Sequence, residues 1–229
     1  MKKILLILTL SIFSFASNLP INSVVKIFST VSDQNYLEPW ENPKIYNLTG
    51  SGAIIKDNRI LTSAHVVSGA NFVEVQKEND SKKYDATVKY ISNDVDLAIL
   101  EVNDKSFFAN TKALEITEDV KIKDSVTAIG YPIGGNTLST TNGIVSRIEY
   151  RNYIWNPWAQ YMTIQVDAAI NSGNSGGAII DKDNKLIGIA MMKLTNTDNI
   201  AYIVPSVVIN TFLNDIKDNK VDGFASTQT

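Results

Sequence analysis

A single histidine, His65, sits in Thr62-Ser63-Ala64-His65, and far downstream Ser175 is framed by glycines in Gly173-Asn174-Ser175-Gly176-Gly177. Between them Asp96 opens the run Asp96-Leu97-Ala98-Ile99-Leu100. A serine hydroxyl at its own pKa is a poor nucleophile and needs a positioned base, and this chain has one imidazole to offer. Histidine, aspartate and serine in that chain order are the parts of a nucleophilic hydrolase. His65 would act first as general base and then as general acid. Asp96 would hold one ring nitrogen and stabilise the imidazolium. The loop Gly173-Asn174-Ser175 would form an oxyanion hole, with the N–H groups of Gly173 and Ser175 converging on the developing charge. One such donor is worth ~10²–10³ in rate.

Each signal has a plainer reading. The glycine-framed serine alone is also a Gly/Asn/Ser turn, and a lone histidine is ordinarily structural. Asp94 competes with Asp96 from two residues away; Asp96 is preferred because it abuts the apolar run Leu97–Leu100 directly. The same five residues fit the G-x-S-x-G elbow of α/β-hydrolases. That fold runs serine, acid, histidine, and here the histidine comes first, so such an enzyme would lack its base.

The elements that must position these groups read as strands. Most segments are short, β-branched and bounded by turn residues. The first set is Val24–Val31, Gly52–Ile55, Arg59–Thr62, Phe72–Gln76, Tyr84–Ile91 and Leu97–Val102, with Asp57-Asn58 as a tight hairpin turn. A mostly polar stretch, Asn103 to Asp119, precedes the second set. That set is Ser125–Gly130, Leu138–Ile148, Met162–Asp167, Gly177–Ile180, Lys185–Met191 and Ile200–Val204. Two groups of six predict an all-β chain of two six-stranded antiparallel β-barrels, since closure removes exposed edges. Pro205-Ser206 begins a C-terminal helix with Ile209, Phe212, Leu213 and Ile216 on one face. The boundaries implied are a leader over 1–16, a first barrel over 20–115, a second barrel with the helix over 116–217, and a frayed polar tail over 218–229.

Residues 1–16 read as a secretory signal: Lys2 and Lys3, the apolar run Ile4 to Phe15, and Ser14-Phe15-Ala16 as a small-x-small cleavage site. Removal would leave roughly 210 residues, more acidic than the net charge of −3 of the whole chain. The mature protein is therefore expected to be exported, periplasmic or secreted, and soluble rather than membrane-bound. An acidic chain is a poor nucleic-acid binder. With no cysteine it forms no disulfides, and one histidine without cysteine argues against a zinc site. No metal or other cofactor is expected.

These residues together resemble the trypsin-like HtrA/Deg serine proteases. The resemblance is carried by Gly50-Ser51-Gly52-Ala53-Ile54-Ile55, Leu61-Thr62-Ser63-Ala64-His65-Val66-Val67 and Asp96-Leu97-Ala98-Ile99-Leu100. It continues through Ile129-Gly130-Tyr131-Pro132-Ile133-Gly134-Gly135 and Gly143-Ile144-Val145-Ser146. It is strongest over Gln165-Val166-Asp167-Ala168-Ala169-Ile170-Asn171-Ser172-Gly173-Asn174-Ser175-Gly176-Gly177 and closes at Asn199-Ile200-Ala201-Tyr202-Ile203-Val204-Pro205. It spans roughly residues 20 to 217.

The resemblance implies a double barrel with the site in the cleft, His65 and Asp96 from the first barrel and Ser175 from the second. It implies peptide-bond hydrolysis through an acyl-enzyme, without cofactor, in ATP-independent quality control of unfolded or damaged proteins. Digestive trypsins carry an aspartate just before the serine, where it pairs with a newly cut N-terminus; here Asn174 stands there, so no zymogen cleavage is expected. The pocket base falls at Ala169, followed by Ile170, with Ile189, Ala190 and Met191 as a wall. That predicts cleavage after small or medium aliphatic residues, because nothing there pairs with Lys or Arg. Family members usually carry PDZ domains after the protease and are commonly trimers, which implies a homotrimer. Of two aromatic groups, Tyr36, Trp40 and Tyr46 near the mature N-terminus, and Tyr150, Tyr153, Trp155, Trp158 and Tyr161 in a loop, the five of the loop are expected to reach another surface, a neighbouring subunit or substrate. The rival to a protease is a non-catalytic or dormant chaperone-like binder of unfolded polypeptides.

Overall fold

The computed structural model describes residues 19–153, 156–193 and 200–224. The leader read at 1–16, Trp155, Asn199 and the end of the tail, 225–229, lie outside the described residues, as does the side chain of Trp158.

Two antiparallel barrels of six strands each make up the structure. The first contains β1 (Val24–Asp33), β2 (Lys44–Ile55), β3 (Arg59–Thr62), β4 (Ala70–Lys77), β5 (Tyr84–Ser92) and β6 (Leu97–Val102), closed in the order β1-β2-β3-β6-β5-β4. The second contains β7 (Ser125–Gly130), β8 (Ser139–Tyr153), β9 (Asn156–Val166), β10 (Ala178–Ile180), β11 (Leu186–Lys193) and β12 (Ala201–Pro205). It closes in the order β10-β11-β12-β9-β8-β7. A single-turn helix, α1 (Ala64–Val67), follows β3, and α2 (Ser206–Asp215) follows β12. The all-β fold class, the double barrel and the C-terminal helix are as the sequence predicts.

Why these strands read as unbroken apolar runs follows from where their two faces go. Leu97 and Ile99 of β6 join the core between the barrels, whereas Ala98, Leu100 and Val102 fill the first barrel. Ile129 of β7 faces the seam and Val126 and Ala128 the second barrel's interior. The same split divides Ala178 and Ile180 from Ile179, and Tyr202 and Val204 from Ala201 and Ile203. A period of two with both faces buried leaves no polar alternation. The seam continues through Val208, Ile209, Phe212 and Ile216 of α2. With no cysteine in the chain, this apolar seam is what joins the halves. Fully burying one such side chain contributes about 1.5–3 kcal/mol.

The Asp57-Asn58 turn forms as expected, both residues at positive φ (66° and 54°), the backbone a two-residue hairpin demands. Differences occur where strands leave the barrels. β2 begins at Lys44 rather than Gly52, and β1 pairs with it as far as Asp33↔Lys44, with Lys44–Leu48 exposed. β8 and β9 pair from Val145↔Val166 out to Tyr153↔Asn156, where a loop was expected. The outer part of β2 is held by β1's backbone rather than by a core, whereas the β8–β9 extension buries Tyr153, Ala159 and Tyr161 between polar neighbours, so no regular hydrophobic pattern announces either.

The aromatic groups divide accordingly. Tyr36 and Trp40 are exposed and Tyr46 half-exposed, but in the second group Tyr153 and Tyr161 are buried in the seam, while Tyr150 is exposed. Tyr153 and Tyr161 meet edge to face at 5.2 Å. Core packing therefore claims these two rings, not an outside surface. The tail is tied down rather than frayed as far as Phe224: the Tyr90 hydroxyl donates to Asn219 Oδ1 at 2.8 Å, and Phe224 packs edge-on against Tyr161 at 5.8 Å.

Candidate active site

β3 delivers the chain into α1 with Thr62 and Ser63 buried, and His65 is the second residue of the helical turn. Asp96 comes from the neighbouring strand, in the turn that opens β6, which pairs with β3 at Thr62↔Ala98. It is fully buried, and its φ of +55° lies in the left-handed region that a non-glycine residue enters only at a cost. That backbone aims its carboxylate at the histidine. Asp96 Oδ1 accepts the His65 backbone N–H at 2.9 Å, and the ring Nδ1 lies 2.8 Å from Oδ2 and 3.0 Å from Oδ1. An ionised carboxylate only accepts, so Nδ1 carries the proton and Nε2 is the basic nitrogen. The competitor Asp94 is exposed and instead accepts from the Asn156 amide at 3.1 Å.

The loop of Ser175 depends on its glycines. Gly173 has φ +95° and packs so tightly on the Tyr131–Ile133 backbone that a Cβ would lie 2.5 Å from Tyr131 O. Gly176 has φ +80°, and a Cβ there would lie 2.2 Å from Ser51 O. Side chains are excluded by space and by backbone angle together.

Hydrogen bonds then set the direction of each peptide in the loop. Ile133 N–H donates to Ser172 O and Gly177 N–H to Asn174 O, both at 2.8 Å. The C=O and N–H of a trans peptide point oppositely, so the N–H groups of Gly173 and Ser175 face the other way. Neither donates to a partner among the described residues. Asn174, grouped with them in the sequence, has its N–H engaged by Asn171 O at 2.9 Å. The loop thus offers two donors, at Gly173 and Ser175.

Ser51 joins this loop to the first barrel. Its hydroxyl accepts from Tyr131 N–H and donates to Gly173 O, both at 2.8 Å, and its own N–H donates to Ser175 O at 2.8 Å. The Ser63 hydroxyl adds a bond to Ala190 O at 3.2 Å, which also accepts Gly176 N–H at 2.8 Å. Gly50 is wedged where the two walls meet: a Cβ there would lie 2.5 Å from a Val66 methyl and 3.2 Å from Ser175 O. The histidine-bearing turn and the serine-bearing loop therefore border one cleft.

The residues expected to shape a specificity pocket are dispersed. Ala169 is exposed, and its carbonyl accepts the Thr141 hydroxyl at 2.9 Å. Ile170 is buried with the second barrel's interior, as is Ala190; Ile189 and Met191 lie in the seam. Sequence reading gave Ser51 no role at the site and expected Tyr153 at an outside surface. Ser51 has a signal, a polar residue between two glycines in an apolar strand. Tyr153 is buried, its hydroxyl donating to Met162 O at 2.9 Å; burial first, and then the nearby Asp96 charge, hold its phenol well above the ordinary range. Burial and the charge of Glu78 do the same to Tyr131.

A histidine paired with a buried aspartate in the first barrel and a glycine-framed serine loop in the second are the parts that a chymotrypsin-type arrangement would use. Comparisons with known proteins agree. The sequence profile for "Trypsin-like peptidase domain" matches residues 50–189, more than half of the chain, and the chain belongs to that family. It is 42% identical over 210 residues to the mitochondrial protease Do-like 4 of Arabidopsis thaliana, covering 91% of this chain and 40% of the relative. It is 40% identical over 197 residues to a serine protease DegP homolog of Plasmodium falciparum, covering 86% and 22%. The chain thus spans less than half the length of these relatives. Among solved structures, a serine endoprotease from Yersinia pestis superimposes with a TM-score of 0.67 at 27% identity, covering 88% of this chain and 65% of the other. The HtrA-type protease AlgW with a decapeptide gives 0.70 at 25% identity, covering 86% and 65%.

Proposed function

We propose that this chain is a serine endopeptidase. The observation that carries the reading is the His65–Asp96 pair, with its buried carboxylate, bordering a serine loop whose Gly173 and Ser175 N–H groups are directed away from their own carbonyl partners. His65 Nε2 takes the Ser175 hydroxyl proton as Oγ attacks the scissile carbonyl. The Gly173 and Ser175 N–H groups stabilise the resulting oxyanion. The imidazolium, held by Asp96, then gives its proton to the leaving amine, and an acyl-enzyme remains. Water, deprotonated by the same imidazole, attacks that ester; the proton returns to Ser175 and the acid product leaves.

The substrates we infer are unfolded or damaged polypeptides, cleaved after small or medium aliphatic residues. That preference rests on the sequence resemblance, in which the positions Ala169, Ile189, Ala190 and Met191 carry no charge. A peptide library profile dominated by Arg or Lys would refute it. The leader sequence supports export to the periplasm or beyond. The exposed Tyr36 and Trp40 support a self-association surface consistent with a homotrimer; a monomer mass by light scattering would remove that inference.

Casein hydrolysis by the wild type and by Ser175→Ala is the test. Turnover lost on substitution supports the peptidase. Equal turnover, or none from either protein alongside tight casein binding, returns the chain to the chaperone-like alternative.

A further inference from the structure

The Gly173 amide owes its direction to the 131–138 connection, and that connection is itself held from the first barrel. We propose that Lys26 and Glu78 are positioning residues that clamp the 131–138 connection and so keep the Gly173 N–H in its donating orientation. This rests on the reading of Gly173 as an oxyanion donor.

Lys26 lies on β1, opposite Ser51 of β2 and Gln76 of β4. Only 7% of it is exposed. Lysine is almost never buried this deeply unless its ammonium has partners. Its Nζ donates to Gly135 O at 3.1 Å and to Asn136 Oδ1 at 3.3 Å, and lies 5.3 Å from the Phe28 ring centre. Glu78, immediately after β4, takes the other end: its Oε2 accepts Leu138 N–H at 3.0 Å. One cationic donor and one anionic acceptor thus hold a connection that belongs to the opposite barrel.

The ends are also anchored by buried Tyr131 and by Leu138, which packs against the seam, but the middle is not. Residues 133–137 are exposed. Gly134 has φ +98° with nothing within 4 Å of an added Cβ. Between the connection and the turn after β4 lies an open cavity of about 340 Å³ whose lining includes Lys26, Glu78, Asp80, Tyr131, Asn136 and Thr137. Apolar packing therefore does not fix the middle of this loop, and the polar contacts must.

The near end of the same loop sets the catalytic peptide. Ile133 N–H donates to Ser172 O, and Gly173 sits against the backbone of Tyr131, Pro132 and Ile133. If the far end is released, Ile133 can withdraw, and the 172–173 peptide loses the bond that holds its carbonyl away from the cleft. Gly173 has no side chain to resist the rotation.

The experiment compares the wild type with Lys26→Met and Glu78→Ala, each beside a conservative control, Lys26→Arg and Glu78→Gln. We expect kcat and the rate of fluorophosphonate labelling to fall roughly tenfold in Lys26→Met and Glu78→Ala, with KM changed less than about twofold. That is a fraction of the ~10²–10³ that one oxyanion donor is worth. Lys26→Arg and Glu78→Gln, which keep a donor and an acceptor, should recover most of the rate. Ile133 amide hydrogen exchange should quicken at least tenfold in Lys26→Met and Glu78→Ala. Wild-type labelling rates in both, or unchanged Ile133 exchange, would overturn the clamp. A loss confined to KM would overturn it as well. Should Lys26→Met fail to fold, Glu78→Ala, altered at a surface turn, decides alone. A wild type that resists the probe defeats the peptidase reading, whereas the exchange measurement still judges the clamp.

Discussion

Asp96 binds His65 twice, through the backbone N–H at 2.9 Å and through ring Nδ1 at 2.8 Å. The first contact fixes where the α1 turn lies relative to β6, and the second fixes how the ring is rotated and which nitrogen keeps the proton. Position and tautomer are thus set by one buried carboxylate.

Asp96→Asn tests this division. An amide of the same shape can keep the fold, since its carbonyl still accepts the backbone N–H. It cannot impose the same tautomer on the ring. The expected outcome is a thermal midpoint near that of the wild type and a fall in kcat on the order of 10⁴-fold. Steady-state kinetics beside a melting curve check both halves; near-normal turnover would remove Asp96 from the mechanism.

Ser51 holds the nucleophile loop to the first barrel. Ser51→Ala strips the partner from the Tyr131 N–H and the Gly173 carbonyl in a site where Ser51 is fully buried. Unsatisfied buried groups cost about 1–3 kcal/mol. We expect an unfolding free energy from urea titration lowered by that amount and labelling slowed together with it. A variant of unchanged stability would show that water replaces the hydroxyl.

Asn174 is 5% exposed, and its side-chain carbonyl has no donor among the described residues. The loop around it is held by backbone bonds to Asn171, Gly177 and Ala190 and by Ser51, none of which needs a charge. Asn174→Asp would bury a carboxylate without a counter-charge. Its folded pKa would rise above the unfolded value. The destabilisation, about 3 kcal/mol at neutral pH, should therefore shrink as pH falls toward about 4. Urea titrations across that range provide the check. A pH-independent, wild-type stability would mean that a cationic partner is within reach.

Tyr131 and Tyr153 hold their protons more tightly folded than unfolded, both for reasons of burial first. Below the ordinary tyrosine value of 10.0 both states keep these protons and stability is unaffected. Above it the unfolded chain releases protons that the folded one retains. Stability should therefore fall by about 1.4 kcal/mol per pH unit for each tyrosine. Tyr153→Phe costs the bond to Met162 O at neutral pH but should flatten this alkaline slope. Parallel slopes in the variant and the wild type would contradict the assignment.

How much of this was legible in the sequence depends on what holds each part. Arg59–Thr62, Leu97–Val102 and Ser125–Gly130 match β3, β6 and β7 to the residue, because both faces of these strands are buried and turn residues bound them. The choice of Asp96 over Asp94 followed from its place against an apolar strand, and the buried pair with His65 has that cause. The outer half of β2 was not legible, since it rests on β1's backbone and presents exposed side chains. Tyr153 and Tyr161 sit among polar neighbours, and only the fold shows that alternate positions turn them into the seam. Ser51, Lys26 and Glu78 act on partners sixty or more residues away, a separation at which a single sequence carries no pairing signal.

The most direct test of the account is the site and base-dependence of covalent labelling by a fluorophosphonate. The account predicts one adduct, on Ser175, formed by the folded wild type and lost in His65→Ala although that variant folds. A folded wild type that acquires no adduct, or an adduct formed at the same rate without the imidazole, would contradict it.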